Sequence, residues 1–280
     1  MTVIKKFLKL TLDVISGARK DNVGVYSAQS AFFMTISSIP FIMLLLSMLK
    51  FLPVSQELLI DRIVSVFPAS VKNLIAAFTA ESYEKSGAAV ISITAVSTLW
   101  ASSIGVFALV KGINKVFCEN ESRNYFTVRF MSMIYTLLIM ALLILCLGFL
   151  VFGNTVTEMI FRAAPNFFGA ALIATGIRML IGILILSIFF VVMYTVVPDR
   201  KTKFYTQIPG AVLCSMGWAG FSYAFSYYYE NIADYSYLYG SLSVMVFFML
   251  WLFVCIYMLF IGAEINKSIE KIKKLHKITL

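Results

Sequence analysis

The amino-acid sequence predicts an all-α, polytopic membrane protein: a bundle of six transmembrane helices with short interfacial amphipathic helices. Of its 280 residues, 60% are hydrophobic and 13% charged, against about 25% charged in ordinary soluble domains. Polar surface is therefore too scarce to coat one globular core, and lipid must be the solvent for much of the chain. Six long apolar stretches recur, at about 23–49, 87–110, 130–152, 177–197, 205–229 and 240–263, uncharged except for Arg178. Each approaches or exceeds the ~20 residues with which a helix crosses a hydrocarbon core of about 30 Å. Cations crowd the segments between alternate stretches, as in cytoplasmic loops.

Residues 1–22 are expected to form a cytoplasmic amphipathic helix. Ile4, Phe7, Leu8, Leu12 and Ile15 recur at helical spacing opposite Lys5, Lys6, Lys9 and Asp13. Lys9 and Asp13 interrupt the apolar part and no small-residue cleavage site follows, which argues against a signal peptide. Such a helix fits the inner leaflet or an ordinary packed position on a neighbour.

The first span carries Tyr26, Gln29, Ser30, Ser37 and Pro40. The first four, with Phe33, are spaced to share one broad face, and proline frees a backbone carbonyl that a neighbour or a wet cavity must satisfy. Cavity lining and polar helix packing both fit. Two amphipathic stretches, 56–67 and 70–78, flank Pro68 and are too short to span, so they are placed as outer interfacial or hairpin helices. In the second span, Thr94, Thr98, Ala101, Gly105, Ala108 and Gly112 make a small-residue stripe, with Ser97, Ser102, Ser103 and Asn114 adding polar groups. Close packing is the default explanation; a polar path is the alternative.

A charged loop, 111–129, precedes a third span whose Leu, Ile, Met and Phe suit lipid. After a connector at 153–176 the fourth span opens on Arg178, long enough to snorkel to the interface. A basic turn, 198–203, leads to the fifth span, where Pro209 falls near the start. The tyrosines at 223 and 227–229 fit an aromatic belt or a pore mouth. The sixth span is bounded by Tyr239-Gly240-Ser241 and by Gly262-Ala263-Glu264-Ile265-Asn266. A basic cytoplasmic tail, 265–280, suits anionic headgroups. Residues 23–264 thus form the membrane domain. Cys118, Cys146, Cys214 and Cys255 form no CxxC pair, and buried reduced thiols are expected.

With six spans, 17 of the 23 Lys and Arg residues fall on the side of both termini, while acids divide evenly. The positive-inside rule then makes both termini cytoplasmic.

Several segments together resemble the YihY/BrkB family of bacterial inner-membrane proteins, once labelled ribonuclease BN. They are residues 26–33 (YSAQSAFF) with Pro40, Trp100-Ala101-Ser102-Ser103 through Asn114, Pro209-Gly210-Ala211, and Tyr239-Gly240-Ser241 with Trp251 and residues 262–266 (GAEIN). Gln29-Ser30 departs from the pattern, standing where a more apolar pair is expected. The resemblance implies a six-helix bundle in the cytoplasmic membrane and supplies no mechanism.

Metal-dependent nuclease chemistry needs clustered His and carboxylate ligands, and the one histidine, His276, lies in the tail. GxSxG and HExxH are absent and no Asp lies in a span, so no catalytic, metal or cofactor residues are assigned and no enzyme is expected. Nor is a nucleic-acid partner expected; membrane lipids are the expected partners. Transport of a small molecule or a lipid is the leading expectation, with a non-transporting scaffold or envelope-assembly factor as the alternative. Candidate pathway or gate residues are Tyr26, Gln29, Ser30, Pro40, Ser102, Ser103, Asn114, Tyr239, Gly240, Glu264 and Asn266. For Glu264 the structural alternative is a contact with Lys111 or Lys115. A polar cavity lined by Gln29, Ser30, Ser102 and Ser103 would favour transport; a tight bundle with an apolar groove would favour lipid handling or scaffolding.

Overall fold

A computed structural model describes residues 3–49, 88–118, 121–163, 170–200, 202–231 and 241–278. Among these residues the regular structure is entirely helical: α1 (Val3–Lys20), α2 (Val23–Leu49), α3 (Ala88–Phe117), α4 (Tyr125–Ala163), α5 (Ala170–Val196), α6 (Phe204–Asn231) and α7 (Ser241–Ile278). Five of these helices are long and apolar enough to cross a membrane, through Val23–Leu45, Ala95–Phe117, Tyr125–Ile144, Met179–Val196 and Met245–Lys274. α6, at 28 residues, has the length. Its Gln207, serines and tyrosines dilute its apolar character, so only five of the six expected spans meet both conditions.

α7 is the axis of the bundle, touching α1, α2, α3 and α6. α2 packs along α3, α5 along α6, and α4 bridges α3 to α5. The buried core of Val23, Val110, Ile113, Phe190, Tyr194 and Phe260 gathers where α2, α4 and α6 begin and α3 and α5 end. The small stripe of α3 acts there as a packing surface. A Cβ on Gly105 would stand 2.6 Å from the Met34 Cγ and 2.7 Å from the Ser37 Oγ of α2, so only glycine admits this approach.

Several boundaries differ from those expected from charge. α3 runs to Phe117 and α4 starts at Tyr125, which shrinks the loop expected at 111–129 and puts Arg129 inside a helix. α4 continues to Ala163, so much of the connector expected at 153–176 is helical. α7 runs unbroken to Ile278, and residues 265–278 are its continuation rather than a separate tail. The reason is common to all three. Charged residues end a hydrophobic stretch without ending a helix, since Lys, Glu and Arg are good helix formers. α1 packs on α7 and α2 and buries Val14, while Leu8 (55%), Leu12 (66%) and Ile15 (46%) point outward. The amphipathic stretches expected at 56–67 and 70–78 lie outside the described residues.

Candidate functional site

Polar side chains that the apolar runs should exclude collect at the end of the bundle where the core is densest. The first group surrounds Pro209. Proline has no N–H to give the helical ladder, and here α7 reaches across: Asn266 Oδ1 accepts the Gly210 amide at 2.8 Å, and Asn266 Nδ2 donates to the Gln207 carbonyl at 3.0 Å. The backbones nearly touch, because a Cβ on Gly210 would fall 2.1 Å from the Gly262 carbonyl oxygen. Tyr194 of α5 closes the crossing by donating its hydroxyl to the Leu259 carbonyl at 2.7 Å. One turn beyond Asn266, Glu270 accepts from Gln207 at 2.9 Å, from Thr206 at 3.0 Å and from Arg200 at 2.9 Å.

The second group surrounds Glu264, whose side chain is 1% exposed. Lys267, one turn further along α7, lies 3.6 Å from Glu264 Oε1 and also pairs with Asp21, in the turn after α1. The neighbour on the other side is Gly17 of α1, where a Cβ would meet the Glu264 carboxylate at 2.5 Å. The expected contact with Lys111 or Lys115 is therefore corrected to Lys267, Asp21 and Gly17. The sequence does not say that α1, rather than the end of α3, covers this face of α7.

The third group joins two loops. Asn114 Oδ1 accepts the Asp199 amide at 2.8 Å, and its Nδ2 donates to Glu121 at 2.5 Å. Arg123 grips Glu121 at 2.6 Å and donates to the Val197 carbonyl at 3.3 Å. Ser122 donates its amide to Asp199 at 3.0 Å and its hydroxyl to the same oxygen. These bonds from Ser122, hydroxyl first, hold the Asp199 carboxyl below its ordinary range. The hydrogen bond to Glu121 raises Arg123 in turn, and burial pushes the Cys118 thiol up.

The candidate residues of the first two spans divide differently. Ser102 and Ser103 are buried but return their hydroxyls to their own helix, at the Leu99 and Trp100 carbonyls (3.0 and 2.9 Å). Ser30 is buried with no hydrogen-bond partner for its hydroxyl among the described residues, Gln29 points outward, and Pro40 is half-buried inside α2. Gln29 therefore does not join Ser30, Ser102 and Ser103 in one lining. Tyr26 and Asn114 do meet, in a cleft of about 340 Å³ that also contains Phe107, Lys111, Lys115 and Arg123. Tyr239 and Gly240 lie outside the described residues. Arg129 was not anticipated. It is buried, donates to the Trp100 carbonyl at 2.5 Å and lies 4.6 Å over the Trp100 ring. The available signal was an arginine four residues into an apolar helix.

A second hollow, of about 390 Å³, opens between α4 and α5. Leu138, Leu142, Ile185, Ile188 and Val192 line it, together with Tyr135, whose hydroxyl donates to the Val196 carbonyl at 3.3 Å, and Val197. Arg123, which lines the first cleft, donates to the carbonyl of that same Val197.

The family model for virulence factor BrkB matches residues 14–278. The ribonuclease-like protein YfkH of Bacillus subtilis is 30% identical over 253 residues, covering 89% of this chain and 90% of that protein. A UPF0761 membrane protein of Haemophilus influenzae is 21% identical over 277 residues, covering 96% of this chain and 93% of the relative. Another from Aggregatibacter aphrophilus is 23% identical over 265 residues, covering 90% of each. No solved structure matches the chain. With a match that spans nearly its whole length and several apolar helices behind it, this chain belongs to the virulence factor BrkB family of membrane proteins.

Proposed function

We propose that the protein handles membrane lipid, moving or presenting it from the inner leaflet of a bacterial cytoplasmic membrane. The supporting observation is the hollow between α4 and α5, which is apolar along its length and lies beside Arg123, bonded to the carbonyl of its lining residue Val197. An apolar hollow of this kind suits the acyl chains of a phospholipid, and a neighbouring arginine suits its charged group. A small-solute path is less well supported, since the Ser102 and Ser103 hydroxyls are spent on their own helix and Gln29 faces outward. In this proposal α6 is the sixth crossing, residues 23–264 are the membrane domain, and both termini are cytoplasmic. Ribonuclease chemistry is not part of it. The name is YfkH's, and no group of three or more His, Cys, Asp or Glu side chains is assembled among the described residues.

The test is a proteoliposome of phosphatidylethanolamine and phosphatidylglycerol carrying fluorescent phosphatidylglycerol, with dithionite quenching of the outer leaflet. The expected result is faster loss of the protected fraction than in protein-free vesicles, slowed by Val192→Trp in the groove. An unaccelerated loss, with the protein shown helical and monodisperse, overturns translocation. The outward Leu8, Leu12 and Ile15 of α1 favour the second reading, a scaffold seated on the membrane surface.

A further inference from the structure

The cleft between the ends of α2, α3 and α4 has a polar and an apolar half. Lys111, Lys115 and Arg123 supply three cations, and Glu121 is the acid among its described lining residues. That carboxylate is already engaged, by Asn114 at 2.5 Å and Arg123 at 2.6 Å. Lys111 and Lys115 have no carboxylate within ion-pair distance among the described residues, and Lys111 Nζ rests 4.5 Å over the Phe107 ring. The opposite half is Phe107, Tyr125, Val128 and Tyr26, with the Phe107 and Tyr125 rings edge to face at 5.4 Å. A volume of about 340 Å³ falls within the range of small-molecule sites. Its depth also fits an interface, since Lys111 and Lys115 lie in the last two turns of one apolar stretch and Tyr125 opens the next. Basic pockets between helices at the cytoplasmic face are the places where anionic headgroups settle.

We propose that this cleft binds the phosphate of an anionic membrane phospholipid, with Lys111 and Lys115 as its cationic contacts and Phe107 and Tyr125 against the glycerol and first acyl carbons. Arg123 is a positioning residue. It is held by Glu121 and by the carbonyl of Val197, a residue that also lines the α4–α5 groove. The assignment rests on the lipid-handling proposal and names the headgroup site that such handling needs. The basic end of α7, with Lys271, Lys273 and Lys274, is a different surface and has no part in it.

The experiment uses the full chain in detergent, with phosphatidylglycerol titrated in native mass spectrometry and maleimide modification of Cys118 mapped by peptide. Cys118 lines the cleft, so an occupant shields it. Expected are retained phosphatidylglycerol adducts, at least five-fold slower Cys118 modification with the lipid present, and loss of both effects in Lys111→Gln/Lys115→Gln. Lys271→Gln/Lys273→Gln/Lys274→Gln is expected to behave as the wild type, and circular dichroism is expected to report unchanged helicity in both variants. Glycerol phosphate at millimolar concentration is expected to leave Cys118 as reactive as in its absence. Equal lipid retention by the cleft variant, or equal loss in the α7 variant, overturns the site. Protection by glycerol phosphate as strong as by the lipid overturns the membrane source. Should the wild type retain no phosphatidylglycerol at all, the lipid-handling proposal itself falls, whereas retention that ignores the cleft removes only this assignment.

Discussion

Asn266 shows how one side chain can hold two helices where proline has weakened one of them. It is fully buried and both of its amide atoms are bonded to the α6 backbone. Asn266→Ala leaves the Gly210 N–H and the Gln207 carbonyl without that partner, and a loss of about 1–2 kcal/mol is expected. Gln29→Ala, at an outward position, should stay within about 0.5 kcal/mol. Unfolding of the detergent-solubilised variants measures both, and equal effects would contradict this account of Asn266. At this scale the sequence was partly legible. Glu264 and Asn266 stood out because polar groups end an otherwise apolar run. Their partners did not, because a partner 56 or 246 residues away, as for Gly210 with Asn266 or Asp21 with Lys267, leaves no local pattern. Arg129 is hidden by a simpler cause: a charge beside an apolar run looks the same in a loop as near the start of a helix.

Between elements, the loop after α3 is tied to the turn after α5 by Ser122, Asp199, Asn114 and Arg123. The Asp199 carboxyl is depressed in the folded state, so the stability it supplies is present above the unfolded carboxylate value of about 3.9 and is lost as pH falls through the folded value. The thermal midpoint of the purified protein should therefore be flat with pH near neutrality, where Ser122→Ala lowers it. Below about pH 4 it should drop, and Ser122→Ala should flatten that drop by removing the hydroxyl that depresses the carboxyl. An identical acid profile in the variant would show that the latch contributes nothing. The apolar runs announced five of the helices through membrane-length stretches. Helix ends were less legible, because the hydrophobic signal stops at the lipid boundary whereas the hydrogen-bonded ladder continues, in α7 as far as Ile278.

For the whole molecule, the proposed orientation rests on the 17 cations that a six-crossing reading assigns to one side. The polar end described above carries the beginnings of α2, α4 and α6 and the ends of α3 and α5, and in the proposed orientation it is the cytoplasmic end. Single cysteines placed at Thr2 and Thr279 should be inaccessible to impermeant maleimide in intact cells and reactive in inverted vesicles. Labelling of both from outside would reverse the arrangement, and opposite results at the two positions would require an odd number of crossings. Fold class was legible because composition alone rules out a water-soluble core. The pairing of helices was not, since small-residue stripes state that something packs closely without stating what.

The unbroken course of α7 has a mechanical consequence. Thirty-eight residues at about 1.5 Å each make a rod of roughly 57 Å, and no hinge separates its basic extremity from the Gly262 crossing. A force applied at Lys271, Lys273 and Lys274 is carried along the same helix to Glu270, Lys267 and Asn266, and so reaches the α6 contact without relay.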